Sequence, residues 1–313
     1  MKLTETELLE VADTFGISHP AIVEKDYYVV QLLKILEAVK TPGYQLVFAG
    51  GTCLEKVHQI IFRMSEDIDI KLIELAEITR LSRTKKKNLL KEAHINVLSS
   101  IEESEIFKKS SEPLIRNEYH FQHFSLKYPN SYNDFEALRP EIKLELVAST
   151  LFQPPILTEI KSFYTNAKRM NGEVSKLLCV DLESIISEKI ISILRRTAAF
   201  NRDNSREDDP TLVRHVYDIH LAMNNNCNTN LIYELVEKVI EIDRQQFGRQ
   251  HPQFLNMPKH ELNYGLSLLR ENPLHKKRYE EFIGPLVYHL SPPNWETAFY
   301  SLEKLVKPFF LHF

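Results

Sequence analysis

Leu46-Val47-Phe48-Ala49-Gly50-Gly51-Thr52-Cys53, followed after a gap by Arg63-Met64-Ser65-Glu66-Asp67-Ile68-Asp69-Ile70, is the part of the chain that decides its fold. Leu46, Val47 and Phe48 form a short apolar run stopped by the Gly50-Gly51 pair, which reads as a strand end. Two glycines permit a sharp turn and leave backbone amides open to a phosphate, with the next helix pointing its N-terminus there. The second segment reads as a strand. Asp67 and Asp69 are two residues apart and project from one face, Ile68 and Ile70 from the other. Paired carboxylates on one face repel unless a cation sits between them. Hard divalent ions take such oxygens, and Mg²⁺ is commonly shared between one or two carboxylates and substrate phosphates.

The bounds set by the whole chain agree with a large globular protein. It has 313 residues, 43% of them hydrophobic and 26% charged, enough for one long or two moderate domains. With only 8 glycines the chain reads as mostly helix with tight connections. A net charge of −4 does not point to nucleic acid, although a local basic surface suffices for that. Cys53, Cys179 and Cys227 are odd in number and far apart, as expected of reduced thiols. The N-terminus has no apolar run of a secretory signal and no stretch approaches membrane-spanning length. A cytoplasmic protein is expected.

Working outward, residues 4–16 read as a helix with Thr4 and Glu7 as a capping box and Gly16 as its stop. Ser18-His19-Pro20 opens a second helix running to about Val39. It contains Glu24-Lys25-Asp26-Tyr27, read as solvated charges with Tyr27 and Val30 packing inward. Residues 74–110 read as polar helix, with Arg80, Arg83, Lys85, Lys86, Lys87 and Lys91 forming a basic arm. Such a run is either a solvated face or a grip on an RNA backbone. The segment around His120-Phe121-Gln122-His123 alternates as a strand, and its two histidines read as surface or packing residues. Glu141-Ile142-Lys143-Leu144-Glu145-Leu146 is a second alternating strand, with Glu141, Lys143 and Glu145 on its polar face. A strand-like run follows at 159–164, and only helices after 172. Within a helix from about Leu182 to Arg196, Lys189 lies in an apolar band, where a lysine can simply reach out to water. Arg196 is seven residues on and shares its face. A charged loop at 201–209 precedes Arg214-His215-Val216-Tyr217-Asp218-Ile219, in which Arg214 and Asp218 are spaced for an internal ion pair. Trp295, Phe299, Tyr300, Phe309, Phe310 and Phe313 read as core or interface.

Gly50-Gly51-Thr52 followed by Arg63, Ser65, Asp67 and Asp69 resembles the signature of the DNA polymerase beta-like nucleotidyltransferase superfamily. More narrowly it resembles the AbiEii/AbiGii-type toxins of bacterial abortive-infection, type IV toxin–antitoxin systems. The spacer from Thr52 to Asp67 is longer than in the general pattern and typical of the narrower group. The Glu-Lys-Asp-Tyr segment, Glu188-Lys189 and the Arg214 to Asp218 block match that group in order.

The resemblance implies an α+β protein: a nucleotidyltransferase-like mixed β-sheet domain with flanking helices over 1–172, then an all-helical domain over 173–313 contributing to the active site. It implies Asp67, Asp69, Lys189 and Asp218 as catalytic residues. Gly50, Gly51, Thr52, Arg63, Ser65, Lys189 and Arg196 are implied to bind the nucleotide. Asp67, Asp69 and, as a third carboxylate, Glu145 are implied to hold Mg²⁺ or Mn²⁺. The implied reaction moves a nucleoside monophosphate from an NTP to RNA, the 3′ end of tRNA, in a toxin with a cognate antitoxin. Transfer to protein side chains and a catalytically idle nucleotide-binding module are the alternatives.

Overall fold

The computed structural model describes residues 2–132 and 135–310, so Phe313 lies outside the described residues. The chain divides into two compact units, Met1–Asp181 and Leu182–Phe313. In the first, α1 (Glu5–Phe15) carries the capping box between Thr4 and Glu7, and Gly16 closes it in the left-handed region at φ 63°. α2 (Pro20–Ala38) begins with Pro20 behind a His19 cap. Next come β1 (Tyr44–Ala49), the single turn α3 (Gly50–Cys53), which runs on as a π-turn over Leu54–His58, and β2 (Asp67–Glu74). The remaining elements are α4 (Arg83–Glu103), β3 (Lys108–Lys109), β4 (Leu114–Arg116), β5 (Phe121–Lys127), β6 (Glu141–Ser149), β7 (Ile156–Ile160), α5 (Phe163–Ala167) and β8 (Val174–Cys179).

The strands form one eight-stranded mixed sheet in the order β3-β5-β6-β2-β1-β8-β7, with β4 on β5. β2 runs parallel to β6 and β1 to β8; β1 and β2, β5 and β6, and β7 and β8 are antiparallel. Strict alternation organises the central strands. Ile68, Ile70 and Leu72 of β2 and Ile142, Leu144 and Leu146 of β6 are buried, and their neighbours in sequence are half-exposed. Helices α2 and α4 pack against each other and against β8 and β1 respectively.

Three local expectations change. The run at 159–164 is split: β7 ends at Ile160, and the Ser162 hydroxyl caps α5 by accepting from the Thr165 amide. Residues 174–179 are a strand, β8, paired with β1, so the first unit extends beyond the 172/173 boundary expected from the sequence. The segment 74–110 holds α4 but also the edge strand β3.

The second unit is a bundle of α6 (Leu182–Arg202), α7 (Arg214–Asn224), α8 (Thr229–Phe247), α9 (Pro252–Asn256), α10 (Pro258–Glu271), α11 (Pro273–Leu286) and α12 (Trp295–Phe310). α6 packs against α7, α8 and α10, and α12 against α7 and α10. α10 lies so close to α6 that a Cβ on Gly265 would strike the Leu194 carbonyl. Trp295 stacks on Phe299 with ring centroids 5.3 Å apart, and both are buried; Tyr300 is exposed. Among the described residues no helix is long and apolar enough to cross a membrane.

His94 on α4 is 1% exposed, and burial holds its imidazole down to about 4. The unfolded chain takes up a proton near 6.5 that the folded state refuses. Stability should therefore fall as pH drops from about 6.5 to about 4, with no further loss from this group below that. Urea midpoints measured across that range should show a slope that His94→Gln reduces; an unchanged slope would contradict the assignment.

Candidate active site

β1 delivers the chain to its turn at Gly50, which sits at φ +75°, where a side chain is strained. The antiparallel register places Ala49 opposite Asp69, and the Asp69 carboxylate lies over Gly50 so closely that a Cβ there would run into its Oδ2. Thr52 is fully buried, and its hydroxyl donates to the Asp67 carbonyl. The two halves of the sequence motif are thus joined directly, the turn to the strand.

Strand alternation puts Asp67 and Asp69 on the half-exposed face of β2. The parallel register sets Glu145 beside Asp69 and Lys143 beside Asp67. The next strand over sets His123 beside Glu145. Asp69, Glu145 and His123 therefore form one row across β2, β6 and β5. His123, read from the sequence as a surface or packing residue, is half-buried here: burial and the Lys143 ammonium lower its pKa, which favours the neutral form. The signal that finds it is the register between β5 and β6. His120 lies just outside β5, with Nδ1 2.8 Å from the Asn117 carbonyl.

Among the described residues no three His, Cys, Asp or Glu side chains converge closely enough to hold a metal by themselves. The donors present fit a hard divalent ion shared with substrate oxygens, the manner in which Mg²⁺ usually binds. They do not make a three-carboxylate cage. Asp67 Oδ1 accepts from Nη2 of Arg139 at 2.6 Å, a residue no sequence pattern had marked.

Beneath this face lies a set of buried charges. Glu24, Lys25 and Asp26 are at most 2% exposed, so the solvated helix face expected for them is wrong. Lys25 Nζ donates to Glu66 Oε2 at 2.5 Å and to the Arg139 carbonyl at 2.6 Å. Glu66 Oε2 in turn accepts the Arg139 amide at 2.8 Å. Glu24 accepts the Ser131 amide at 2.9 Å, and Asp26 accepts the Phe163 amide at 2.7 Å while pairing with Lys56. Lys56 also reaches Glu55 at 3.4 Å and covers the Phe163 ring at 3.9 Å. Burial pushes the Glu55 carboxyl up and opposes the charge on Lys56, but Asp26 and Glu55 more than restore it and raise the Lys56 ammonium.

Arg63 and Ser65 sit in this layer. Arg63 is 1% exposed, its Nη1 donating to the Met64 carbonyl, and the Ser65 amide donates to Glu55 at 3.2 Å. Arg63, Ser65 and Thr52 are buried, whereas Gly50 and Gly51 are half-exposed.

In the helical unit, Lys189 on α6 and Asp218 on α7 form a buried ion pair at 2.8 Å. The imidazole of His215, beside them, is held well below its ordinary pKa by burial and by Lys189. Arg196 is not with them; two turns along α6, it pairs with Asp209 at 2.8 Å in a cleft also lined by Phe200, His275 and Arg278. Arg278 there pairs with Asp208, so the charged loop before α7 neutralises both arginines.

A glycine turn that feeds a strand bearing two half-exposed carboxylates, inside a mixed sheet flanked by helices, defines a nucleotidyltransferase-like domain. The family model for the nucleotidyl transferase AbiEii toxin of type IV toxin–antitoxin systems matches residues 34–300, and the chain belongs to that family. It is a nucleotidyltransferase, and membership implies an NTP as substrate and an antitoxin as partner. MenT4, a nucleotidyltransferase toxin of Mycobacterium tuberculosis H37Rv, shares the fold with a TM-score of 0.56 at 16% identity, over 99% of this chain and 90% of its own. No curated protein matches the chain.

Gly50→Ala should cost about 1–3 kcal/mol from the left-handed backbone and the displaced Asp69, and abolish nucleotide transfer. Denaturant unfolding and a transfer assay check both; full activity would contradict the close approach. In the bundle, Lys189→Met leaves Asp218 buried without its cation and should cost about 3–5 kcal/mol. The double variant Lys189→Met/Asp218→Leu should recover most of that stability and no activity. A double variant as unstable as the single one would refute the buried pair.

Proposed function

We propose that the protein transfers a nucleoside monophosphate from an NTP to an RNA acceptor, the 3′ end of a tRNA, with Mg²⁺ or Mn²⁺ held by Asp67 and Asp69. The observation that carries this reading is the pair of carboxylates on one half-exposed strand face, with Asp69 drawn against the Gly50 turn. Glu145 stands beside Asp69 in register and is the third candidate oxygen ligand. Asp67, Asp69 and Glu145 would hold the cation, which would supply positive charge to stabilise the leaving pyrophosphate. The residues of this chain do the rest. Gly50 and Gly51 offer amides to phosphate oxygens, and Thr52, Ser65 and Arg63 hold the turn and the strand in place. In the helical unit, the buried Lys189–Asp218 pair is the further candidate catalytic pair. The acceptor hydroxyl gives up its proton to solvent water as its oxygen bonds to the α-phosphorus, and the bond from the α-phosphorus to the α–β bridging oxygen breaks, releasing pyrophosphate. The basic side chains of α4 support an RNA acceptor: Arg83 and Lys85 are exposed, although Arg83 and Lys87 share Glu118 and Lys86 pairs with Glu74.

The test incubates purified protein with total bacterial RNA, Mg²⁺ and each α-labelled NTP in turn, beside Asp69→Asn. Label on a tRNA-sized band with the wild type alone is the expected result, and the nucleotide that labels it gives the base preference. Label on protein instead would move the acceptor to a side chain. No transfer to any acceptor would refute the proposal.

A further inference from the structure

Arg139 is the residue of the site that neither the carboxylate motif nor the basic arm accounts for. It ends the connection between β5 and β6, and its guanidinium is 35% exposed on the face that carries Asp67. Both polar groups of its backbone are fixed. Its amide donates to Glu66 at 2.8 Å, and its carbonyl accepts from Lys25 at 2.6 Å. Lys25 and Glu66 are themselves buried and paired, and Glu24, next to Lys25, holds the Ser131 amide at the other end of the same connection. Buried charges on backbone groups are stronger restraints than neutral hydrogen bonds, so the loop is placed deliberately on α2. From that anchor the side chain reaches one carboxylate oxygen of Asp67 at 2.6 Å and stands 3.6 Å from Glu66.

We propose that Arg139 competes with the divalent cation for Asp67 Oδ1 and, once displaced, turns its guanidinium to the phosphates of the nucleotide. This rests on the reading of Asp67 and Asp69 as the metal-holding pair. A guanidinium hydrogen-bonded to Oδ1 takes up one of that carboxylate's lone pairs and sets a positive charge beside the site, and both oppose an incoming cation. An arginine is suited to the exchange. It stays charged at any working pH, and its planar fork matches a phosphate as well as it matches a carboxylate. Metal loading and the delivery of a phosphate-binding cation are then one event. Arg139 is in this sense a competitor of the metal and a binding residue for the nucleotide.

The experiment titrates Mn²⁺ alone into wild type, Arg139→Gln and Asp69→Asn by calorimetry, and then measures nucleotide transfer. Arg139→Gln keeps both backbone anchors; if it does not fold, Arg139→Met serves in its place. Removing the competitor should tighten Mn²⁺ binding roughly threefold to tenfold, the strength of a partly exposed charged hydrogen bond. KM for the NTP should rise while kcat falls less. A merely structural role predicts the opposite sign, weaker Mn²⁺ binding through a loosened site. Mn²⁺ binding that is lost in Asp69→Asn and unchanged or weaker in Arg139→Gln would overturn this proposal and leave the metal reading intact. Mn²⁺ binding that survives undiminished in Asp69→Asn would overturn both.

Discussion

The space above Gly50, which a side chain on any other residue would fill, holds the carboxylate of Asp69. Much of the site follows from that contact. It requires Ala49 and Asp69 to face each other across β1 and β2, and this register fixes every other side chain of β2. With Asp69 on the half-exposed face, Asp67 shares it, and Ile68 and Ile70 go into the core. A slip of one residue would bury both carboxylates and expose the isoleucines. The parallel partner β6 inherits the arrangement and sets Glu145 beside Asp69. The glycine thus does two jobs: it turns the chain at φ +75° and leaves room for the charge.

A second layer of charge holds this face in position. Buried ion pairs contribute little net stability, because desolvation offsets much of their attraction. Their partners here show what they do instead. Each of four buried carboxylates also accepts a backbone amide from a different segment: Glu24 from Ser131, Asp26 from Phe163, Glu55 from Ser65 and Glu66 from Arg139. These segments are the two ends of the β5–β6 connection, the start of α5 and the approach to β2. The charges of α2 and of the turn after Gly50 are thus a set of brackets, and one of the loops they hold brings Arg139 to Asp67.

The motif was legible because its determinants are local. A glycine pair ends a strand within two residues, and Asp-Ile-Asp-Ile reads its own faces by alternation, as does β6 with Ile142, Leu144 and Leu146. The cap of α1 was legible for the same reason. What the sequence hid depends on distant partners. Lys25 meets Glu66 41 residues away and Arg139 114 residues away, and no helical periodicity marks a charge whose counter-ion lies that far along the chain. Arg139 stands in an irregular connection with no period to read. His123 gains its place beside Glu145 only through the register of two strands. Strand β8 was missed because Val174-Ser175-Lys176-Leu177-Leu178-Cys179 alternates poorly: it is buried at Val174, Leu177 and Cys179, steps of three and then two that follow no single period.

In the proposed function, Asp67 and Asp69 together hold the cation on which transfer depends. Anomalous diffraction from crystals grown with Mn²⁺ and a non-hydrolysable NTP analogue tests it most directly. A manganese peak within about 2.0–2.3 Å of carboxylate oxygens from both aspartates, completed by phosphate oxygens, is the expected result. Nucleotide bound with no peak between the two carboxylates, or a peak held by other residues, would contradict it.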